Sequence, residues 1–309
     1  MTAGQFQFWR HVRLSNVVLL LCWLVYAAAT LMAPVRQNPY HVSHPERLAI
    51  QLSIIVLFGI IWYIALRGAT AFKNYASMVR DAKEAPGLHL IANGLLWVVA
   101  YLVMIALAGA IGGAMATSSI SDEVSVLRDH VTVLVVLIAF IYLYLGSQRL
   151  AEIAQFDTWD RKTMLIIAVY MLFSIAFVIA FSHASVPAPG STRNSLSVLP
   201  RSILLFSLIL PYLIGWFLGL LACINITRYA HRVKGILYRR ALVSLVRGII
   251  TVIALGIVFQ LLTFAVRYLT TLSLNSIIVL LYALIVLYGL GFVFIRSGAK
   301  MLARIEVAR

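Results

Sequence analysis

Eight long stretches of this chain contain no Lys, Arg, Asp or Glu, and this feature constrains the fold most. They cover residues 14–35, 48–66, 85–121, 130–148, 163–192, 202–227, 248–266 and 268–295. Each is at least about as long as the roughly 20 mainly apolar residues that a helix needs to cross a bilayer. Only 11 % of the residues are charged and 62 % are hydrophobic, so a water-soluble fold of this size could not cover its surface. The sequence therefore predicts an integral membrane protein.

We expect one helix in each stretch, which gives an all-α, polytopic membrane protein with eight transmembrane helices. Strands of a membrane barrel would alternate apolar with polar residues, whereas runs such as 17–21 and 277–281 are apolar throughout. Residues 1–309 are predicted to form a single membrane domain with no soluble domain. The predicted helices lie near 14–35, 48–68, 88–116, 130–150, 163–182, 202–228, 247–268 and 275–297.

The basic residues between the stretches indicate the orientation of the chain. Nineteen of the 25 Lys and Arg residues fall in the first segment and in every second gap after it. Loops rich in Lys and Arg remain in the cytoplasm. We therefore predict a protein of the plasma (inner) membrane with both termini cytoplasmic. Its basic residues are expected to contact anionic lipids at that face, and no nucleic acid.

Arginines close every second charge-free stretch, and small residues stand beside most of them. These arginines are Arg67, Arg149, Arg228 and Arg296. Four parallel helical-hairpin repeats would produce this spacing, but so would any eight-helix protein with basic cytoplasmic loops. Apolar residues at helical spacing follow the arginines, so the even-numbered helices are expected to continue beyond the membrane. Their continuations would form a bundle or lie on the headgroups.

The stretches lack the polar groups on which many membrane proteins depend. No lysine lies inside them, which excludes a retinal protein, and no carboxylate does, which argues against a proton-coupled pump. There are no paired deep histidines for haem and no Gly-rich phosphate loop for a nucleotide. We expect no cofactor and no metal, and an enzyme is the less favoured class.

Gln260 is the amide side chain that the sequence places deepest in the membrane, close to the centre of its stretch. An unpaired amide in hydrocarbon costs several kcal/mol. Gln260 is therefore predicted to face inward and to bond another helix, a water or a ligand. Hydroxyls expected at similar depth make Tyr101, Ser174 and Tyr282 its possible partners. The bond would either join two helices or line a ligand cavity.

Glycines within two of the predicted helices also bear on how the helices pack. Gly109, Gly112 and Gly113 fall in the third predicted helix, and Gly215 and Gly219 form a Gly-x-x-x-Gly pair in the sixth. Small residues let helix backbones approach closely. These glycines predict either tight helix packing or a narrow pore.

Imidazole and carboxylate groups are concentrated in two predicted external loops. The first contains His41, His44 and Glu46, and the second contains Asp129 and His130. Such groups bind metals and sense pH. The alternative is that they are ordinary solvated loop residues.

Three functions remain open from the sequence. The favoured one is a non-enzymatic sensor, receptor or scaffold that acts through a separate membrane or cytoplasmic protein partner. The second is a transporter or channel for a small neutral or lipid-like solute, which would need no buried charge. The third is a membrane enzyme that acts on lipid at the outer face through His41 and His44.

Overall fold

A computed structural model describes residues 3–32, 44–114, 121–155, 160–184, 201–232, 236–268 and 274–308. Within these ranges the chain forms eight helices and no strand, which confirms the all-α prediction. The helices are α1 (Ala3–Met32), α2 (His44–Met78), α3 (Glu84–Ala114), α4 (Ser121–Ile153), α5 (Arg161–Ala184), α6 (Arg201–Arg232), α7 (Ile236–Tyr268) and α8 (Leu274–Ala308).

Six of the helices are long and apolar enough to cross a membrane over their described residues. The segments are Leu14–Met32, Leu48–Met78, Glu84–Ile111, Val131–Ile153, Ile209–Arg232 and Tyr282–Val307. The chain is therefore a multi-pass α-helical membrane protein. Helices α5 and α7 are not among the six, so the count of eight spans stays a prediction.

Six helices form a closed ring. Neighbours follow the order α2, α3, α4, α6, α7 and α8, and α8 packs back against α2. Helix α1 lies outside the ring against α2 and α3, and α5 lies outside it against α6. Both outer helices expose apolar side chains, as expected for lipid contact: Leu14, Val17, Leu21 and Leu24 on α1, and Leu165, Val169, Leu172 and Ile175 on α5.

The contacts among α2–α4 recur among α6–α8, whereas the contact of α1 with α3 has no counterpart of similar extent between the described parts of α5 and α7. Helices α3 and α4 pack extensively, as α7 and α8 do, and α2 contacts α3 as α6 contacts α7. The two halves meet where α4 packs on α6 and where α8 packs on α2. Hairpins α1–α2 and α5–α6 have few contacts, so successive hairpins do not pack alike. The contacts of the ring helices thus repeat after four helices, and they do not support the hairpin repeat, which was one of two explanations for the arginine spacing.

Side chains at matched positions follow the same period. Trp62 and Tyr75 on α2 are each 154 positions before Trp216 and Tyr229 on α6. All four are buried. Equivalent positions in the two halves therefore contribute equivalent aromatic groups to the interior.

Small residues bring the helix pairs of both halves into backbone contact. A Cβ added to Gly146 of α4 would lie 2.6 Å from the carbonyl oxygen of Gly87 on α3. A Cβ added to Gly298 of α8 would lie 2.7 Å from the carbonyl oxygen of Ala241 on α7. Approach this close needs a residue without a side chain. The same requirement therefore holds in α3–α4 and in α7–α8.

We call the end of the bundle that carries Arg67, Arg149, Arg228 and Arg296 the basic end. The apolar residues that follow these arginines are buried against neighbouring helices: Phe72, Ala76, Leu150, Tyr229 and Leu302. The continuations of the even-numbered helices therefore pack together as a bundle, which is one of the two predicted alternatives.

Candidate functional site

Four polar side chains meet at the basic end, and we call them the tyrosine cluster. The hydroxyls of Tyr75 and Tyr238 are 2.7 Å apart, and the Tyr229 hydroxyl donates to Glu84 Oε1 at 2.7 Å. The hydroxyls of Tyr229 and Tyr238 also interact. The four groups thus form a chain from Tyr75 through Tyr238 and Tyr229 to Glu84. All three tyrosines are buried, at most 5 % exposed.

The tyrosine cluster joins the two halves of the ring. Tyr75 of α2 belongs to the first half and bonds Tyr238 of α7 in the second, whereas Tyr229 of α6 in the second half bonds Glu84 of α3 in the first. Glu84 and Tyr238 are separated by the same 154 positions as Tyr75 and Tyr229. The two bonds therefore have equivalent places in the two halves. Four of the six ring helices converge there, which closes the interior of the ring at the basic end.

A second buried polar contact links α4 to α6. The Asn225 side-chain amide donates to the Ser147 hydroxyl at 3.4 Å, and that hydroxyl donates to the Tyr144 carbonyl oxygen at 2.7 Å. Asn225 and Ser147 are fully buried, and Asn225 Oδ1 has no hydrogen-bond partner within the described part of the chain. The contact fixes the pairing of α4 and α6 at a cost, since a buried acceptor without a partner is destabilising.

The outer helix α5 is attached to the ring at its first turn. Asp160 caps α5, because its Oδ1 accepts the Thr163 backbone N–H at 2.9 Å and the Thr163 hydroxyl at 2.7 Å. The Arg228 guanidinium of α6 forms an ion pair with Asp160 and donates to the Thr163 hydroxyl at 2.6 Å. Further along, the Tyr170 hydroxyl donates to the Leu213 carbonyl oxygen of α6. The cap and the ion pair together fix the start of α5 on α6.

Asp160→Asn is expected to change the acid sensitivity of the protein. Hydrogen bonds from the Thr163 hydroxyl and N–H, together with Arg228, lower the pKa of Asp160 from 3.8 to about 2. A carboxylate whose pKa falls on folding stabilises the protein above its unfolded pKa of about 4, and this stabilisation is lost as the pH falls through the folded pKa. Asparagine keeps the cap, so the thermal midpoints of wild type and variant should differ above about pH 4 and converge towards about pH 2. A difference that is constant over that range would contradict the assignment.

Two cavities lie inside the ring and share Tyr101, Gly256 and Tyr288. The smaller, of about 20 Å³, lies on the side of Trp216. The larger, of about 90 Å³, lies on the side of Trp62, and we call it the chamber. Its walls are Phe58, Ile61, Trp62, Tyr101, Leu102, Ile105, Ala106, Gly256, Leu284, Ile285 and Tyr288.

The two halves differ at matched positions in the wall of the chamber. Gly256 of α7 corresponds to Leu102 of α3 in the 154-residue spacing. A Cβ at Gly256 would lie 2.9 Å from the Tyr288 hydroxyl, so the position of this hydroxyl requires that residue 256 has no side chain. Trp62 is 13 positions from Tyr75 on α2, about 20 Å at 1.5 Å per residue. The chamber therefore lies well inside the bundle, away from the tyrosine cluster.

The residues predicted to surround Gln260 occupy three different places. Gln260 belongs to α7, but its side chain lies outside the described part of the structure, so its prediction stays open. Tyr101 lines the chamber. The Tyr282 hydroxyl of α8 hydrogen-bonds the Ser53 hydroxyl of α2. Ser174 is buried on α5, one turn after Tyr170 on the face that packs on α6.

The glycines singled out from the sequence have different surroundings in the structure. Gly215 and Gly219 of α6 receive the Phe140 ring of α4, whose nearest atoms would lie 3.2 and 2.9 Å from an added Cβ. An added Cβ at Gly109 meets no described atom within 4 Å. Gly112 and Gly113 belong to α3, and their surroundings lie outside the described residues. Close packing is therefore visible at Gly215 and Gly219 and not at Gly109.

The predicted external metal or pH site falls mostly outside the described residues. His41 is not described, and His44, Asp129 and His130 are described only as parts of helices. Glu46 is exposed in the first turn of α2. Among the described side chains, no group of three or more His, Cys, Asp or Glu could hold a metal. The external site therefore stays a prediction.

Neither the tyrosine cluster nor the buried Trp62 was predicted from the sequence. A signal for them was present in the spacing of Trp62 and Trp216 and of Tyr75 and Tyr229. The regular arginines pointed instead to a repeat of two helices.

The tyrosine cluster closes one end of the ring, and the chamber lies inside it. Neither carries a sequence motif that identifies a reaction. Comparison of the chain with protein-family models, with curated proteins and with solved structures finds no match.

Proposed function

We propose that this protein is a non-enzymatic membrane module, a sensor, receptor or scaffold, that acts through a separate protein at its basic end. The observation that carries the proposal is the tyrosine cluster. Its two bonds, Tyr75 to Tyr238 and Tyr229 to Glu84, join the halves of the ring where four helices converge. A change in the packing of the halves would alter the surface that these helices present.

The packing around the interior supports the same proposal. Gly146 and Gly298 bring their helix pairs into backbone contact near the basic end. The described cavities are walled mainly by aliphatic and aromatic side chains. A channel for polar solutes would need a continuous polar path, which the walls of these two cavities do not offer.

The second candidate is a transporter or channel for a small neutral or lipid-like solute. The chamber favours it, because a closed ring of helices with an apolar space inside could hold such a solute between two gates. In this alternative the tyrosine cluster would be the gate at the basic end.

We propose eight membrane spans in the plasma (inner) membrane, with both termini and the basic end in the cytoplasm. The bias of Lys and Arg towards alternate loops supports this orientation. Exposed basic residues such as Lys73, Arg239 and Lys300 would contact anionic lipids or an acidic partner surface there. A membrane-impermeant thiol reagent should label a cysteine at Asn38 from outside intact cells and should not label one at Asn74.

Site-specific photocross-linking tests the module against the transporter. A photoreactive residue at Lys73, exposed at the basic end of α2, should yield a protein adduct of defined mass in native membranes. The same residue at Val56, exposed on the membrane segment of α2, is the matched control and should give no such adduct. In liposomes, the reconstituted protein should not accelerate glycerol entry.

The opposite results would select the transporter. Glycerol entry that the protein accelerates, and that Ala106→Leu slows by filling the chamber, would overturn the module. Equal adducts at Lys73 and Val56 would show that the basic end has no specific partner.

A further inference from the structure

The Trp62 indole has no hydrogen-bond partner among the described residues. Trp62 is only 1 % exposed, and its Nε1 meets no acceptor in that part of the chain. A buried N–H without a partner is destabilising. By contrast, Trp23 of α1 donates its indole N–H to the Ile55 carbonyl oxygen at 2.9 Å. The two tryptophans lie near each other on α1 and α2, yet only Trp23 is satisfied.

Trp62 belongs to the wall of the chamber. Its ring is held by aromatic neighbours, with the Tyr26 ring centroid at 5.4 Å and that of Phe58 at 6.1 Å. Phe58 is also a wall residue. The indole is therefore fixed by packing and cannot turn freely to find a partner elsewhere.

The chemistry of the chamber defines what could occupy it. Most wall groups are aliphatic or aromatic, and the polar ones are the indole of Trp62 and the hydroxyls of Tyr101 and Tyr288. An apolar cavity of about 150 Å³ is enough to bind benzene. The chamber, at about 90 Å³, fits a somewhat smaller apolar group.

We propose that the chamber is a binding site for a small apolar molecule, or the apolar end of a larger one, that carries a hydrogen-bond acceptor such as a carbonyl oxygen. The acceptor receives the Trp62 N–H, and the aliphatic walls hold the remainder. Gly256 leaves space in the chamber, because the second half of the chain has no side chain at the position that Leu102 occupies in the first half. The inference goes beyond the proposed function and does not depend on it, since a receptor and a transporter could both use such a site.

Cyclobutanone and cyclobutane are suitable probes, because both are smaller than benzene, share a ring size and differ in the acceptor. In protein labelled with ¹⁵N at its indoles, the Trp62 signal is the one that disappears in Trp62→Phe. Cyclobutanone should move this indole proton downfield and reach saturation. The Trp23 signal is the internal control and should stay in place, because its N–H is already bonded.

Comparison of the two probes tests the acceptor itself. Cyclobutane can occupy the same space without an acceptor, so at saturation it should leave the Trp62 indole proton without the downfield shift that cyclobutanone gives. Ala106→Leu, which fills the chamber from α3, should abolish the saturable shift while Trp62 keeps its signal.

Three results would overturn the proposal. They are a Trp62 signal that does not respond to cyclobutanone, an equal response in Ala106→Leu, and an equal downfield shift with cyclobutane. The first would also be the result if the chamber held only water. None of these results bears on cross-linking at Lys73, so the site and the proposed function fail separately.

Discussion

Gly146→Ala should lower the stability of the protein by about 1–3 kcal/mol, the usual cost of overpacking. The new Cβ would lie 2.6 Å from the Gly87 carbonyl oxygen and 2.8 Å from the Ile91 backbone nitrogen. Both are backbone atoms of α3, so no side chain can turn aside and the two helices must separate. The thermal unfolding midpoint of purified protein in one detergent measures the effect.

Gly109→Ala is the matched control on α3, because a Cβ there meets no described atom within 4 Å. Alanine favours the helix over glycine by about 1 kcal/mol, so this variant should equal or exceed the wild type in stability. Gly298→Ala, at the equivalent place in the other half, should reproduce the loss. If Gly146→Ala and Gly109→Ala unfold at the same temperature, α3 and α4 are not in backbone contact.

Tyr238→Phe should destabilise the protein by about 1–3 kcal/mol, because it leaves the buried Tyr75 hydroxyl without its partner. Adding Tyr75→Phe removes that hydroxyl as well. Replacing both partners by apolar groups is nearly neutral, so the double variant should be no less stable than Tyr238→Phe alone. The midpoints of the wild type, the two single variants and the double variant form a complete cycle.

Tyr63→Phe serves as the control for hydroxyl loss as such. Tyr63 is 47 % exposed and accepts a hydrogen bond from Arg67 at 3.1 Å on the surface of α2. Exposed substitutions of this kind usually change stability by less than about 0.5 kcal/mol. Additive losses in the Tyr75 and Tyr238 cycle would mean that the two hydroxyls do not interact.

Charge and hydropathy predicted most of the secondary structure. The charge-free stretches predicted eight helices because charged groups are excluded from hydrocarbon. The helical spacing after Arg67 also predicted the continuation of α2, whose Phe72 and Ala76 are fully buried. Both signals are local, since each depends on residues within one or two turns.

The ring order and the interior sites depend on contacts between distant helices. Tyr75 and Tyr238 are 163 positions apart, and nothing near either residue distinguishes it from a tyrosine at a membrane interface. The chamber depends on Gly256 facing Tyr288 of the next helix. Gly109 is an example in the other direction. Its sequence context predicted close packing or a narrow pore, and a Cβ added there meets no described atom within 4 Å. Residue types alone could not predict these pairings.

The ring closes between α2 and α8, and this has a consequence for biosynthesis. Gly68 of α2 lies against the Phe292 backbone, with an added Cβ 3.0 Å from its carbonyl oxygen. A ribosome makes the N-terminal part of a chain first, so α2 enters the bilayer long before its neighbour exists. Until α8 is synthesised, lipid must cover the face of α2 that later packs against it. Helix α8 therefore completes a contact whose other side, on α2, was made much earlier, and the ring cannot close before α8 has been translated.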